Sequence, residues 1–166
     1  MSVPSNKTSK FNIQKSLKRA RSGKEGKTTW TVDFKNREYR WSNRMERIGI
    51  IRQRLPYDAL ETISKKAGIS VKQMLGNFDI PQTTYNKKKR ENELLSERDS
   101  EMILLLIELL DFGQDVFNNE LDKFHRWLRK PNISLGGNTP NSLFDSITGI
   151  QEVRNVLFRL EYGNLA

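Results

Sequence analysis

The sequence predicts an all-α protein with a helix-turn-helix, and three observations support this fold class. From residue 42 onward, apolar residues recur every three or four positions, which is the spacing of one helix face. The breaks between these stripes fall at proline, glycine and N-capping residues, where helices usually end or begin. Two of the predicted helices are short and are separated only by Asp79, Ile80 and Pro81, as in a helix-turn-helix.

Charge and composition favour a nucleic-acid partner and argue against a membrane partner. The net charge of +9 is concentrated near the N-terminus, because residues 1–54 contain 15 Lys and Arg against 4 Asp and Glu. Clustered cations favour a polyanionic partner such as a nucleic acid, although basic tails can also serve only solubility. The longest apolar run, residues 102–107, is too short to span a bilayer, so no membrane partner is expected. With no secretory signal and no cysteine, a cytoplasmic location is expected.

Residues 1–41 are predicted to form a basic, largely disordered arm. Residues 1–27 are rich in Lys, Ser, Asn and Gly and contain few regularly spaced aliphatic residues. In residues 28–34, Trp30, Val32 and Phe34 share one face, as a short strand would require. Because one strand is not stable alone, this segment is expected to pack on the helices or pair with a partner.

Residues 42–112 are predicted to form the helix-turn-helix domain. Its first two helices should each bury one apolar stripe, and breaks should follow at Pro56 and at Gly68. Ser70 should cap the next, short helix. The first stripe contains Met45, Ile48, Ile51 and Leu55, and the second contains Ala59, Leu60, Ile63 and Ala67.

A long helix is predicted to close this domain. Ser96 and Asp99 form a capping pair at its start, and the helix should run to about Phe112. Residues 102–110 are apolar nearly all round the helix, which predicts that it is the buried centre of the fold.

The two short helices around residues 79–81 give the most specific chemical prediction. Gly76 should allow a close approach of the helices, Asp79 should accept a left-handed turn, and Ile80 should be buried. Tyr85 should anchor the second helix to its own domain. Bases should be contacted by Gln82, Thr83 and Lys87, and phosphates by Lys88, Lys89 and Arg90. The predicted DNA-binding residues are Gln82, Thr83, Thr84, Asn86, Lys87, Lys88, Lys89 and Arg90.

Residues 113–166 are predicted to form a small helical C-terminal domain. A helix should run from about Asp115 or Asn119 to Lys130, followed by a loop and a short helix that begins at Thr139 and Pro140. A last helix should cover about residues 148–161 and end at a glycine cap. Its predicted stripe contains Ile150, Val153, Leu157 and Leu160, and its cap is Gly163.

The sequence argues against an enzyme. His125 is the only histidine, so a His-based catalytic triad, a multi-histidine metal site and a paired imidazole shuttle are not expected. The acidic residues near residue 97 are explained by the dipole at the start of the long helix. No catalytic residue, cofactor or metal site is therefore expected.

Several motifs together resemble one known family. They are IPQTTYNKK (residues 80–88), LLSERDSE (94–101), WLRKPN (127–132), LGGNTP (135–140), GIQEV (149–153) and LEYG (160–163). Their order and spacing over about residues 44–166 are similar to those of the bacterial Xre/MbcA/ParS antitoxins of RES–Xre type II toxin–antitoxin systems. At Arg54, this sequence departs from the glycine that is often found in that family.

The resemblance implies an antitoxin with two functions. Its helix-turn-helix would bind operator double-stranded DNA and repress its own operon, and its C-terminal domain would cover the active site of a cognate RES-type toxin that depletes NAD. It would act as a homodimer and form a higher-order complex with the toxin. The residues expected at the toxin interface are Arg154, Phe158, Arg159, Glu161, Tyr162 and Gly163.

A second function remains open at this point. The same pattern of helices is compatible with a free-standing transcriptional regulator whose C-terminal domain binds another protein or only dimerises.

Overall fold

The computed structural model describes residues 29–163, in which a β-hairpin packs beside a group of helices. Most of the predicted disordered arm, residues 1–28, lies outside the described residues, as do residues 164–166. The all-α fold class is confirmed, with the two short strands of the hairpin as the exception. No helix in the described part of the chain is long and apolar enough to cross a membrane.

The hairpin is formed by β1 (Trp30–Phe34) and β2 (Arg37–Trp41), which pair antiparallel. The predicted strand at residues 28–34 corresponds to β1, but assigning residues 35–41 to the arm was wrong. Lys35 and Asn36 both have positive φ, as in the two-residue turns that match the twist of a hairpin. Four side chains on its inner face are buried against the helices, and their burial stabilises the two-stranded hairpin. They are Val32, Phe34, Tyr39 and Trp41.

The helices follow in the predicted order, with some different ends. They are α1 (Arg44–Gln53), α2 (Asp58–Ala67), α3 (Val71–Asn77), α4 (Gln82–Arg90), α5 (Glu97–Val116), α6 (Leu121–Leu128) and α7 (Ile147–Tyr162). Short 3-10 turns at Ile133–Leu135 and Pro140–Leu143 lie between α6 and α7. Helix α5 runs four residues beyond the predicted end, and α6 is shorter than predicted because Asn118 and Asn119 both adopt left-handed conformations that stop a helix.

Several predicted helix ends are confirmed by their hydrogen bonds. The Ser70 hydroxyl accepts from the backbone N–H of Gln73, whose side chain accepts from the N–H of Ser70 in return. The Ser96 hydroxyl accepts from the N–H of Asp99, and Gly68 ends α2 in the left-handed conformation. The boundaries of α2, α3 and α5 are thus fixed by local sequence.

Two predicted core residues are exposed. Met45 is 74% exposed because α1 contacts the core only through its second half, where Ile50 is buried instead. Leu160 is 48% exposed because the last turn of α7 extends beyond the core that buries Val153 and Leu157.

Helix α5 is the centre of the fold, as predicted. Residues 102–104 and 106–110 are buried, so the helix contacts neighbours on nearly all sides. It packs against α1, α2, α6 and α7, while β1 contacts α2 and β2 contacts α1. The hairpin, the helix-turn-helix and the C-terminal helices therefore share one hydrophobic core.

A close contact joins the end of α2 to α6. The His125 ring Nε2 lies 3.0 Å from the backbone oxygen of Lys66, and the Arg129 guanidinium donates to the backbone oxygen of Gly68. A Cβ atom at Gly68 would lie only 2.5 Å from Nδ1 of His125. Glycine is thus required at position 68 both by its φ of 64° and by the close imidazole ring.

We expect Gly68→Ala to destabilise the protein more than Gly136→Ala. Both glycines have nearly the same positive φ, but a Cβ at Gly136 would meet nothing closer than 3.8 Å. The control should cost about 1 kcal/mol for the left-handed conformation, and Gly68→Ala should cost about 1–3 kcal/mol more because His125 must move. Urea denaturation measures both, and equal losses would contradict the close contact.

Candidate functional site

The structure forms a helix-turn-helix from α3 and α4. Asp79 has a φ of 54°, as predicted, and the N–H of Ile80 donates to the oxygen of Leu75 across the turn. Ile80 is half-buried and packs against the core. The predicted close approach at Gly76 is wrong, because Gly76 is exposed and a Cβ there would have no neighbour within 4 Å.

One face of α4 is open to solvent along its whole length. Its exposed residues are Gln82, Thr83, Asn86, Lys87 and Arg90. The Gln82 amide donates to the Asn86 side-chain oxygen over 3.0 Å, so two amides lie side by side near the start of the helix. Amides of Asn and Gln are the side chains that pair with adenine in the major groove.

Tyr85 fixes the opposite face of α4, as the sequence predicted. Its side chain is 5% exposed, and its ring lies 6.4 Å from that of Tyr57. Burial raises the pKa of the Tyr85 hydroxyl. The exposed face of α4 is therefore held in one orientation by an aromatic contact behind it.

Two of the predicted phosphate-binding lysines have partners within the protein. Lys89 lies 2.8 Å from a carboxylate oxygen of Glu61 on α2, and Lys88 forms an ion pair with Glu93. The hydrogen bond with Glu61 raises the pKa of Lys89, and that with Glu93 raises the pKa of Lys88. In the same pairs, Lys89 lowers the pKa of Glu61 and Lys88 lowers that of Glu93.

These pairs give Lys88 and Lys89 a structural role, although their binding of phosphate stays a prediction. Both side chains are half-buried, as is Thr84. Lys87 and Arg90 are exposed, and among residues 29–163 no carboxylate lies within ion-pair distance of either. The cationic charge available to a ligand on α4 is thus concentrated at Lys87 and Arg90.

The last helix exposes an aromatic pair. The rings of Phe158 and Tyr162 lie 4.3 Å apart, and the two side chains are 54% and 41% exposed. Leu160 is also exposed, so apolar side chains accumulate on the last turns of α7. Arg159 is exposed among them, and Gly163 ends the helix with a φ of 70°.

Arg154, the first residue of the predicted toxin interface, lies four residues before Phe158 and eight before Tyr162, on the same face of α7. Its guanidinium is 3.6 Å from a carboxylate oxygen of Glu108 and 5.8 Å from the ring centre of Phe112. One stripe of α7 thus carries Arg154, Phe158 and Tyr162, and the guanidinium of Arg154 joins that stripe to α5. Glu161 lies between Leu160 and Tyr162 and is half-buried.

Glu108 is the important residue that the sequence analysis did not single out. Its carboxylate is 5% exposed, accepts a 2.7 Å hydrogen bond from the Trp41 indole and lies 2.7 Å from the Arg47 guanidinium. It was overlooked because it lies inside an apolar stretch. That position was also the available signal, since a charge within an apolar helix requires a buried partner.

A cavity of about 590 Å³ opens beside this carboxylate. It lies between the open end of the hairpin, the start of α1, and helices α5 and α7. Its lining residues are Trp30, Ser42, Asn43, Arg44, Arg47, Leu105, Glu108, Gln151 and Arg154.

Metal ligands and the single histidine are the groups that catalysis would need first. Across residues 29–163, no group of three or more His, Asp or Glu side chains could hold a metal ion. His125 is engaged in the contact between α2 and α6.

Comparisons with known proteins match both halves of the chain. The family model described as the antitoxin Xre-like helix-turn-helix domain matches residues 46–108. The model described as the antitoxin Xre/MbcA/ParS C-terminal toxin-binding domain matches residues 113–163.

Three curated relatives are similar over most of their length. "Prs ADP-ribosylating antitoxin" of Sphingobium sp. is 30% identical over 130 residues, which cover 74% of this chain and 82% of the relative. "Antitoxin Xre" of Yersinia enterocolitica is 27% identical over 106 residues, 64% of this chain and 72% of the relative. "Antitoxin Xre" of Photorhabdus laumondii is 25% identical over 114 residues, 69% of this chain and 77% of the relative.

Proposed function

Since the chain belongs to the Xre/MbcA/ParS family of antitoxins, we propose that it neutralises a cognate RES-type toxin and represses its own operon. In this proposal, the C-terminal domain, residues 113–166, covers the active site of the toxin. The helix-turn-helix domain, residues 42–112, binds the operator. The protein acts in the cytoplasm of a bacterium and has no catalytic activity of its own.

The exposed face of α4 is the observation that supports DNA binding most strongly. Gln82, Thr83 and Asn86 supply short polar side chains at the start of the helix, where a recognition helix contacts base edges. Lys87 and Arg90 follow on the same face and can contact phosphates. Because Tyr85 holds α4 from behind, this face can meet the major groove without rearrangement.

A homodimer fits this arrangement. One α4 helix contacts few base pairs, and helix-turn-helix proteins usually gain specificity by binding two half-sites as a dimer. The toxin would then join the dimer in a higher-order complex.

The exposed aromatic pair of α7 supports a protein interface at the C-terminus. Aromatic residues and arginine are the residues that most often dominate the binding energy of protein interfaces. Phe158, Tyr162 and Arg159 place these side chains on the last turns of α7. A projecting helix end of this kind can enter the opening of a toxin active site.

The exposed face of α4 is tested by a double variant. Replacing Gln82 and Lys87 with Ala should weaken binding to a duplex from the region upstream of the operon at least tenfold. The variant loses one base contact, at about 1–3 kcal/mol, and either a second base contact or a phosphate contact. Neutralisation of the toxin should persist. Electrophoretic mobility shifts measure the first effect, and growth during co-expression with the toxin measures the second.

The matched control for this variant is Lys130→Ala with Gln151→Ala, which removes the same side-chain types from exposed positions in the C-terminal half. It should bind DNA like the wild type. Equal DNA binding by both double variants would contradict the role of α4.

The aromatic pair of α7 is tested in the same way. Replacing Phe158 and Tyr162 with Ala should abolish rescue of growth and co-purification with the toxin from the adjacent reading frame. The fold and DNA binding should persist, because both side chains lie on the surface and outside the buried core. Met45→Ala with Leu94→Ala is the control, since it removes exposed apolar side chains from the other half.

Failure of the wild type to bind or neutralise this toxin, with operator binding intact, would favour the alternative function, a free-standing transcriptional regulator. Its C-terminal domain would then bind a different protein or only dimerise. Neutralisation by the Phe158 and Tyr162 variant would instead place the toxin interface elsewhere on the chain.

A further inference from the structure

We propose that the turn of the β-hairpin, residues 35–37, is a second DNA-binding element that contacts the phosphate backbone beside the site read by α4. This inference rests on the DNA-binding function proposed above. The hairpin lies before the region matched by the helix-turn-helix family model, which begins at residue 46.

The hairpin turn lies next to the end of the recognition helix. The Lys35 ammonium donates a hydrogen bond to the side-chain oxygen of Asn92, two residues after α4 ends at Arg90. Phe34, Lys35 and Arg37 from the hairpin and Asn92 and Leu94 from the loop line a groove of about 320 Å³.

Lys35 keeps its charge available in this position. Asn92 is neutral, and a lysine ammonium has three N–H donors, so two remain for another acceptor. Lys35 is exposed, and no carboxylate within residues 29–163 forms an ion pair with it. The cation therefore faces solvent beside α4 without a neutralising partner.

Arg37 is held beside Lys35 by two contacts. Its guanidinium donates to the Gln53 side-chain oxygen over 2.7 Å and lies 4.9 Å from the ring centre of Tyr39. Both partners are neutral, so this cation is also positioned without being neutralised.

The same surface continues to the cations of α4. Lys35 and Arg37 lie on the hairpin, and Lys87 and Arg90 lie on the exposed face of the helix that ends beside Asn92. Among the nearby carboxylates that the structure describes, Glu93 is paired with Lys88 and Glu38 with Arg40, so Asp33 and Glu91 are the remaining exposed carboxylates beside the four cations. Positive charge predominates along this edge.

The position of α4 in the major groove determines where the hairpin turn would meet DNA. Helix α4 has nine residues and is about 13 Å long, close to the width of the major groove, about 12 Å. Recognition helices contact base edges through their N-terminal residues, so in the proposed function the last residues of α4 lie nearer the phosphate backbone than the first. Asn92 and the hairpin turn beside it then meet the phosphates next to the groove.

Salt titrations of the full chain with two duplexes test this inference. One duplex carries the region upstream of the operon, and the other has the same length and an unrelated sequence. Lys35→Gln with Arg37→Gln should weaken binding to both about equally, because phosphate contacts carry no sequence information. The slope of log affinity against log salt should flatten by about 0.9 for each lost contact.

The control variant removes the same charge from elsewhere on this part of the chain. Arg40 lies near the open end of the hairpin and Arg44 at the start of α1, and both are exposed. Arg40→Gln with Arg44→Gln should leave the slope close to that of the wild type. Lys35→Arg with Arg37→Lys keeps both charges and should retain binding.

The outcomes separate this inference from the proposed function. Circular dichroism first establishes that each variant is folded, and Lys35→Gln alone replaces the double variant if it is not. If the wild type binds and the turn variant keeps the slope of the control variant, the hairpin inference is overturned while the role of α4 stands. If the wild type binds neither duplex, both are overturned.

Discussion

The buried carboxylate of Glu108 is the interaction on which the arrangement of the whole molecule depends. It lies on the central helix, accepts a hydrogen bond from Trp41 of the hairpin and pairs with Arg47 of α1, while Arg154 of α7 approaches it at 3.6 Å. Burying a carboxylate is unfavourable unless charged and hydrogen-bonding partners surround it. The hairpin, the first helix and the last helix must therefore meet at one point on α5.

The packing of all these elements on α5 places both proposed binding surfaces on one core. The helix-turn-helix packs on α5 through α2, and the last helix packs on the same α5 directly. The contact of His125 and Arg129 with the end of α2 joins the two halves a second time. In the proposed function, the toxin-binding end of α7 and the DNA-binding face of α4 are thus carried by one core rather than by two independently moving domains.

The sequence predicted the helical elements well wherever local chemistry determines them, as at the Ser70 and Ser96 caps. It failed where the outcome depends on distant partners. Local sequence does not predict the second strand, because its buried Trp41 donates a hydrogen bond to Glu108, 67 residues away. At Arg54, which replaces the family's frequent glycine, the backbone keeps a φ of 63° that usually requires glycine, and the guanidinium donates to the oxygens of Leu94 and Leu95. For the candidate site, periodicity predicted the buried Tyr85, but not the pairing of Lys88 and Lys89 with carboxylates.

Equilibrium unfolding of Glu108→Leu tests the central claim most directly. The account predicts a loss of about 3–5 kcal/mol in the free energy of unfolding, because Arg47 would be left without its buried partner. Arg47→Met in the same background should recover part of that loss, whereas Glu97→Leu at the exposed start of α5 should cost less than about 1 kcal/mol. A loss for Glu108→Leu no larger than that for Glu97→Leu would contradict the account.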